Sequence, residues 1–210
     1  MKTDAYTSEA ICRSMGIASF ENDPACTDAA EAIRLLLMPS FHPEICITFG
    51  LGKVSVVCAR TMIWRHFEPS PVLTDRGEGA IRQAEFGGLL DSMTQIATSP
   101  DAVPGIIIDG MPTELLHLRA GAIALKVGGN GGKAGNFSVF IAHAIALAWD
   151  SISNAYCRNA LSDAANYVGK CLPRVSEPQR KPVIETVVLG LEEDRAQLME
   201  ALRRRYDSSN

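Results

Sequence analysis

No run of apolar residues in this 210-residue chain is longer than six, Ala144 to Trp149, against the roughly 20 that a membrane-spanning helix needs. A membrane is therefore not an expected partner. The first residues carry no apolar segment either. Lys2 is followed by Asp4 and Glu9, so no secretory signal is read and a cytoplasmic location is the expectation. There is no basic surplus, with 20 lysines and arginines against 24 acids and a net charge of -4, whereas general nucleic-acid binders carry an excess or a stripe of positive charge. Nucleic acid is not an expected partner. The six cysteines include no C-x-x-C pair, successive members being separated by 13, 19, 11, 98 and 13 residues. Neither a zinc site nor a dense disulfide scaffold has that spacing. Cys46 and Cys58 read as buried hydrophobes in β-rich runs.

What is present suffices for a core. Apolar residues make up 47% of the chain and charged residues 21%, near the globular average, which excludes global disorder. The length suits one domain of the usual size, about 100 to 200 residues. The negative charge sits at the N-terminus, where residues 1–33 hold Asp4, Glu9, Glu21, Asp23, Asp28 and Glu31 against only Lys2 and Arg13. Residues 1–25 are read as an acidic leader, either a solvated tail or a docking segment for a basic partner, and 26–210 as a single domain.

A helix is predicted from Thr27 or Asp28, with Glu31 in its first turn, Ile33, Leu36 and Leu37 at helical spacing, and Pro39 as its stop. A β-hairpin is predicted next. Ile45, Ile47 and Phe49 share a face of one strand, Val54, Val56 and Cys58 a face of the other, and Gly50-Leu51-Gly52 forms the turn. A third strand is expected through Met62 and Trp64. Phe86, Leu89, Leu90, Met93 and Ile96 place an amphipathic helix over about 79–98, with Gly87 and Gly88 marking close packing or a bend. Strands over 105–109, 113–119 and 122–127 form a meander with turns at Gly110 and Ala120-Gly121. After the glycine-rich loop 128–135, Asn136 is expected to cap a buried helix bearing Phe137, Phe140, Ile141, Ala144, Ala148, Trp149 and Ile152, with a second cap at Ser162-Asp163. The stretch 173–182 reads as a linker, and Ile184, Val188, Leu191, Leu198 and Leu202 suit a final helix, although 183–188 equally suits a strand. Strands in local hairpins with helices beside them define an α+β protein, an antiparallel sheet covered by amphipathic helices.

The glycine loop does not match a P-loop, because the position of the first required glycine is Val127 and Lys133 is followed by Ala134. Nor does it follow a βαβ strand, as a dinucleotide fingerprint would. His42, in Ser40-Phe41-His42-Pro43-Glu44, stands at an element junction where Glu44 and Ser40 are candidate partners, but no G-x-S-x-G elbow occurs. Asp109, Glu114 and His117 lie where hairpin geometry can gather two carboxylates and an imidazole, a set suited to acid-base work; Asp109-Gly110 is equally ordinary turn chemistry. His143 has no second histidine at i+4. No metal site and no cofactor is expected. Anchors for a protein partner are Phe41, His42, Trp64, Arg65 and Phe67, with Glu21 and Asp23 of the leader as charged contacts.

The stretch Ile106-Ile107-Ile108-Asp109-Gly110, Glu114 in the next strand, Gly121 in the following turn, the loop 128–136 and the amphipathic helix after it resemble a layout seen in small bacterial proteins. Those are mostly uncharacterised cytoplasmic proteins, some of the immunity type that neutralises a cognate toxin. About 50 of the 210 residues carry the resemblance, and Leu115 and Leu116 stand beside Glu114 where the layout often has an aromatic. The resemblance implies a binding protein without chemistry of its own and assigns no catalytic residue. Three readings follow: a module that binds a protein partner such as a basic toxin, a small-molecule hydrolase or other acid-base enzyme using Asp109, Glu114, His117 and His42, and a homo-oligomer assembled through the C-terminal helix.

Overall fold

The computed structural model describes residues 7–63, 71–98, 110–131 and 135–180. The chain divides into two units, Met1–Glu177 and Pro178–Asn210; the architecture that follows belongs to the first. Its centre is a six-stranded antiparallel sheet in the order β4-β3-β2-β1-β5-β6. The strands are β1 (Glu31–Leu37), β2 (Ile45–Gly50), β3 (Lys53–Ala59), β4 (Thr74–Ala80), β5 (Pro112–Arg119) and β6 (Ala122–Asn130). Three longer helices, α3 (Gln83–Thr98), α4 (Asn136–Ser151) and α5 (Ala155–Tyr167), cover one face. The other face carries α1 (Ser8–Ser14), a 3-10 turn at Phe20–Asn22 and the single turn α2 (Pro24–Thr27). An α+β fold with an antiparallel sheet is thus what the chain forms.

The segment expected as the first helix is β1, a strand at the middle of the sheet. Ile33, Leu35 and Leu37 pack on the helix layer, whereas Ala32 and Leu36 pack on the leader. A strand buried on both faces loses the apolar-polar alternation that marks an exposed sheet, and a run of leucines then reads as helix. The β2–β3 hairpin is as predicted, and its register pairs Ile47 with Val56 and Phe49 with Val54. Both tight hairpins turn through an X-Gly pair with positive φ at each residue, Leu51 (53°) with Gly52 (68°) and Ala120 (50°) with Gly121 (77°). That geometry matches the right-handed twist of the flanking strands.

The edge strand β4, Thr-Asp-Arg-Gly-Glu-Gly-Ala, has little β-forming character and was not expected; Met62 and Ile63 lie outside any strand. Its glycines are there because the α4–α5 junction rests on it. A Cβ at Gly79 would stand 2.0 Å from the Ser151 carbonyl oxygen, a distance no side chain tolerates. α3 matches its predicted apolar stripe, with Leu89, Met93 and Ile96 buried; a Cβ at Gly88 would stand 3.7 Å from His143 of α4 and one at Gly87 would meet nothing within 4 Å, so neither glycine marks close packing on the sheet. β5 and β6 confirm two strands of the meander, while the strand expected at 105–109 lies outside the described residues, as does the C-terminal helix. Gly128 and Gly129, expected in a loop, belong to β6. The cap position of α4 is Gly135, not Asn136. α4 and α5 part at 152–154, where the Asn154 side chain accepts from the Cys157 amide at 3.0 Å; Ser162, expected as that cap, is buried inside α5 and donates to Arg158 O. Residues 171–180 have no regular structure, and Asn159 and Ser162 bond their backbone at Val175 and Pro173.

From Ser8 onward the acidic leader is part of the fold. Ile11, Cys12 and Met15 are buried against Leu36, Cys46 and Val57, and Phe20 and Cys26 against Ala32 and Leu118. Its acids face outward or pair, and its sparse apolar residues suffice to close the second side of the sheet.

Candidate functional site

Between the leader and the sheet lies a cleft of about 720 Å³, within the range of roughly 300–1,000 Å³ typical of ligand sites. Its floor comes from three adjacent strands, with Arg34 on β1, Glu114 and Leu116 on β5, and Ile123 and Lys126 on β6. The register places Arg34 beside Leu116 and Leu116 beside Lys126, so these side chains form one row across the sheet. Its walls are α1, through Ser8, Glu9 and Cys12, and the 3-10 turn, through Phe20, Glu21 and Asn22.

Arg34 organises this region. It is 2% exposed and its guanidinium is spent on internal partners: Nε donates to Thr48 Oγ1 at 3.1 Å, Nη1 to Ala18 O at 2.8 Å, and Nη2 to the Asp23 carboxylate. The Phe20 ring lies 5.1 Å from its central carbon, a cation-π contact. Burial works against its charge, yet Cys46, Cys26 and Asp23 outweigh burial and raise its pKa above the ordinary value. A buried arginine is tolerable only when its fork of donors is filled, and the Ala18 carbonyl and Asp23 carboxylate of the leader fill it together with Thr48 of β2. Burial of Arg34 thus rests on contacts that the leader supplies.

Beside Arg34 stand three thiols. Cys12 of α1 and Cys46 of β2 share one buried cluster; the neighbouring Cys46 thiol and burial raise the Cys12 pKa, whereas the Cys12 thiol, the Arg34 charge and the Thr48 hydroxyl lower that of Cys46 against the opposing effect of burial. Cys26 lies 3.8 Å from the Arg34 guanidinium, and burial pushes its pKa up to about 12. On the other side of the sheet Cys157 of α5 and Cys58 of β3 are sealed in the helix-side core, where the Cys157 Sγ lies 3.8 Å from the Val56 carbonyl oxygen.

Acids outnumber cations in the lining of the cleft, Glu9, Glu21 and Glu114 against Arg34 and Lys126. Arg34 is committed to Asp23, and Lys126 lies 3.2 Å from Glu114. Glu9, with Arg13 as its neighbour at 3.2 Å, and Glu21 stand exposed at the mouth. Phe20, Leu36, Leu116 and Ile123 supply apolar surface between them.

Two members of the expected acid-base cluster are held apart. Glu114 and His117 are three residues apart on one strand and point to opposite faces of the sheet: Glu114 is in the leader-side cleft, whereas His117, paired with Ile33, is on the helix side. The strand period of two separates them. Asp109 lies outside the described residues, as do Trp64, Arg65, His66 and Phe67. His117 is buried, 4.0 Å from Glu31, with no hydrogen bond at Nε2; burial lowers its pKa, Glu31 opposes this and Arg119 adds to it. His42 is held by α5: its Nδ1 lies 3.1 Å from the Tyr167 hydroxyl, which also accepts from the Phe41 amide at 3.2 Å. Glu44 is turned inward to the Ile63 amide at 2.8 Å, and Ser40 brackets Gly110 through both its amide and its carbonyl. Of the expected partner contacts, Phe41 is 56% exposed and Glu21 lines the cleft, but Asp23 faces inward to Arg34. Among the described residues no group of three or more His, Cys, Asp and Glu side chains is placed to hold a metal ion, and no helix is long and apolar enough to cross a membrane.

Sequence reasoning missed Arg34, Cys12, Phe20 and Lys126. The lone arginine inside Glu-Ala-Ile-Arg-Leu-Leu-Leu was the available signal, since a charge in a buried strand requires partners. Comparison with protein-family models, curated proteins and solved structures found nothing that matches this chain.

Proposed function

We propose that this protein is a binding module that takes a basic segment of a protein partner into the cleft between its leader and its sheet. One observation carries the reading: a cleft of about 720 Å³ has Leu116 and Ile123 in its floor, its lining acids outnumber its lining cations, and exposed Glu9 and Glu21 stand at its mouth. A lysine or arginine of the partner lays its aliphatic stem on Leu116 and Ile123 and its charge against these carboxylates. A toxin with a basic surface is a partner of that chemistry, the kind implied by the resemblance to immunity-type proteins. The acid-base enzyme reading has less support, because Glu114 and His117 face apart.

The test compares capture of partners from the source cells by the tagged full chain, by Glu9→Lys/Glu21→Lys, and by Asp91→Lys/Asp150→Lys on exposed helix positions. A stoichiometric protein lost with the first pair, retained with the second, and released as salt screens the contact supports the proposal. Equal capture by all three forms, or a bound small molecule without a protein, overturns it.

A further inference from the structure

We propose that the basic segment enters the cleft as an extended strand that pairs antiparallel with the outer edge of β6 and places a lysine or arginine opposite Gly128, a mode of binding that rests on the reading of the cleft given above. Among the described residues no strand lies beyond β6, and none of its nine residues is buried. A charge and a bulge are devices that commonly blunt a sheet edge, and both are confined here. The bulge, opposite His117 and Leu118, falls near the start of β6, and from Leu125 to Asn130 the ladder keeps one register. Lys126 is the single charge of the strand, and its amine is drawn to Glu114 at 3.2 Å, over the sheet and not across the edge. The other edge is covered by the α4–α5 junction: Asn154 Nδ2 donates to Arg76 O of β4 at 3.1 Å, and the Ser151 backbone rests on Gly79.

The ladder fixes which backbone groups of β6 face outward. Gly131 N donates to Met111 O at 2.9 Å, and on the other side of β5 Met38 N donates to Pro112 O at 2.8 Å. Bonded pairs alternate along an antiparallel ladder, so Val127 and Gly129 spend their amides and carbonyls on Leu115 and Thr113, while Lys126 and Gly128 turn theirs outward. Gly128 stands opposite Glu114, on the leader side of the sheet, and a Cβ there would meet nothing within 4 Å. An added strand at the usual spacing lies about 10 Å from β5, a gap that a long basic side chain and Glu114 span between them. The stem passes over Gly128 beside Leu116, and the charge meets Glu114 with Glu9 and Glu21 on the cleft wall. The residue opposite Lys126 is then uncharged or acidic, because like charges directly opposite destabilise a sheet. Main-chain bonds supply affinity in such strand addition, and alternate side chains supply specificity.

The probe is acetyl-Thr-Val-Lys-Val-Thr-amide, compared with the same peptide methylated on the lysine backbone nitrogen, which keeps the charge and loses the donor to Gly128 O. Calorimetric titration of the full chain should show the methylated peptide binding about tenfold more weakly, the worth of one main-chain bond left unmade. Gly128→Pro removes one outward donor without touching the β5–β6 ladder and should weaken the unmodified peptide in the same way, while Glu9→Lys/Glu21→Lys should weaken both peptides. Equal affinity for the two peptides, still reduced by the charge reversal, overturns strand addition and leaves a basic segment in the cleft. An affinity that the charge reversal does not move overturns the reading of the cleft and this proposal with it. Absence of binding overturns it as well, as does a dimer of the full chain that Gly128→Pro disrupts, which would put a second copy on β6.

Discussion

Replacing Arg34 with methionine removes the charge while keeping an unbranched side chain of comparable reach, and its cost follows from the contacts that are lost. Removing one partner of a buried ion pair typically costs about 3–5 kcal/mol, because the other partner is left uncompensated. Here Asp23 keeps 20% of its side chain exposed and can turn toward water, which places the expected loss at the lower end, about 3 kcal/mol. The Ala18 carbonyl and the Thr48 hydroxyl lose their donors as well. Asp23→Asn leaves those two bonds and the Phe20 contact in place, so it should cost less, about 1–3 kcal/mol. The double variant should fall short of the sum, with a coupling of about 0.5–3 kcal/mol. Arg34→Lys keeps the charge but not the planar fork and should recover only part of the loss. Urea unfolding at neutral pH measures each value, and protease cleavage within residues 8–30 reports whether the leader has detached. A loss below about 1 kcal/mol for Arg34→Met with leader cleavage unchanged would refute the idea that this arginine holds the two together.

Other consequences are open to the same kind of measurement. Gly79→Ala puts a methyl group 2.0 Å from the Ser151 carbonyl oxygen; the backbone must shift, and the urea midpoint should fall by at least the roughly 1–3 kcal/mol of an overpacked core. Asn154→Ala removes the α5 cap bond to the Cys157 amide and should cost about 1 kcal/mol. His117 has a lowered pKa in the folded protein, so as pH falls below the unfolded value of about 6.5 the unfolded chain takes up a proton that the folded one resists. Stability should therefore decline from pH 7 toward the lowered value and level off below it, and His117→Gln should flatten that part of the profile. An unchanged slope in the variant would remove His117 as its source.

Most of the architecture was legible where local chemistry and tertiary context agree. The β2–β3 hairpin announced itself because one face of each strand meets the core in strict alternation and its turn residues accept positive φ. The apolar stripes of α3 and α4 were equally plain, since each helix buries one side. Legibility failed where neighbours impose the structure. β1 reads as helix by its leucines and is a strand because sheet partners flank it on both sides. β4 reads as loop by its glycines, yet those glycines are what the α4–α5 junction needs in order to approach. Ser162-Asp163 has the right letters for a cap, but the break falls where Asn154 can reach back to Cys157.

The site divides in the same way. The sequence by itself determined that the chain has a core, that its charge gathers in the first 33 residues and that its cysteines form no close pairs along the chain, because composition and spacing are properties of a line. Only the tertiary structure decided that the leader folds over a buried arginine, that Cys12 and Cys46, 33 intervening residues apart, enter one buried cluster, and that Glu114 and His117 part company. Those outcomes depend on which strands are neighbours and which face each side chain takes. A shift of one residue in register turns a side chain from one face of a sheet to the other, so proximity in sequence decides such encounters far less than the pairing that burial of the whole sheet selects.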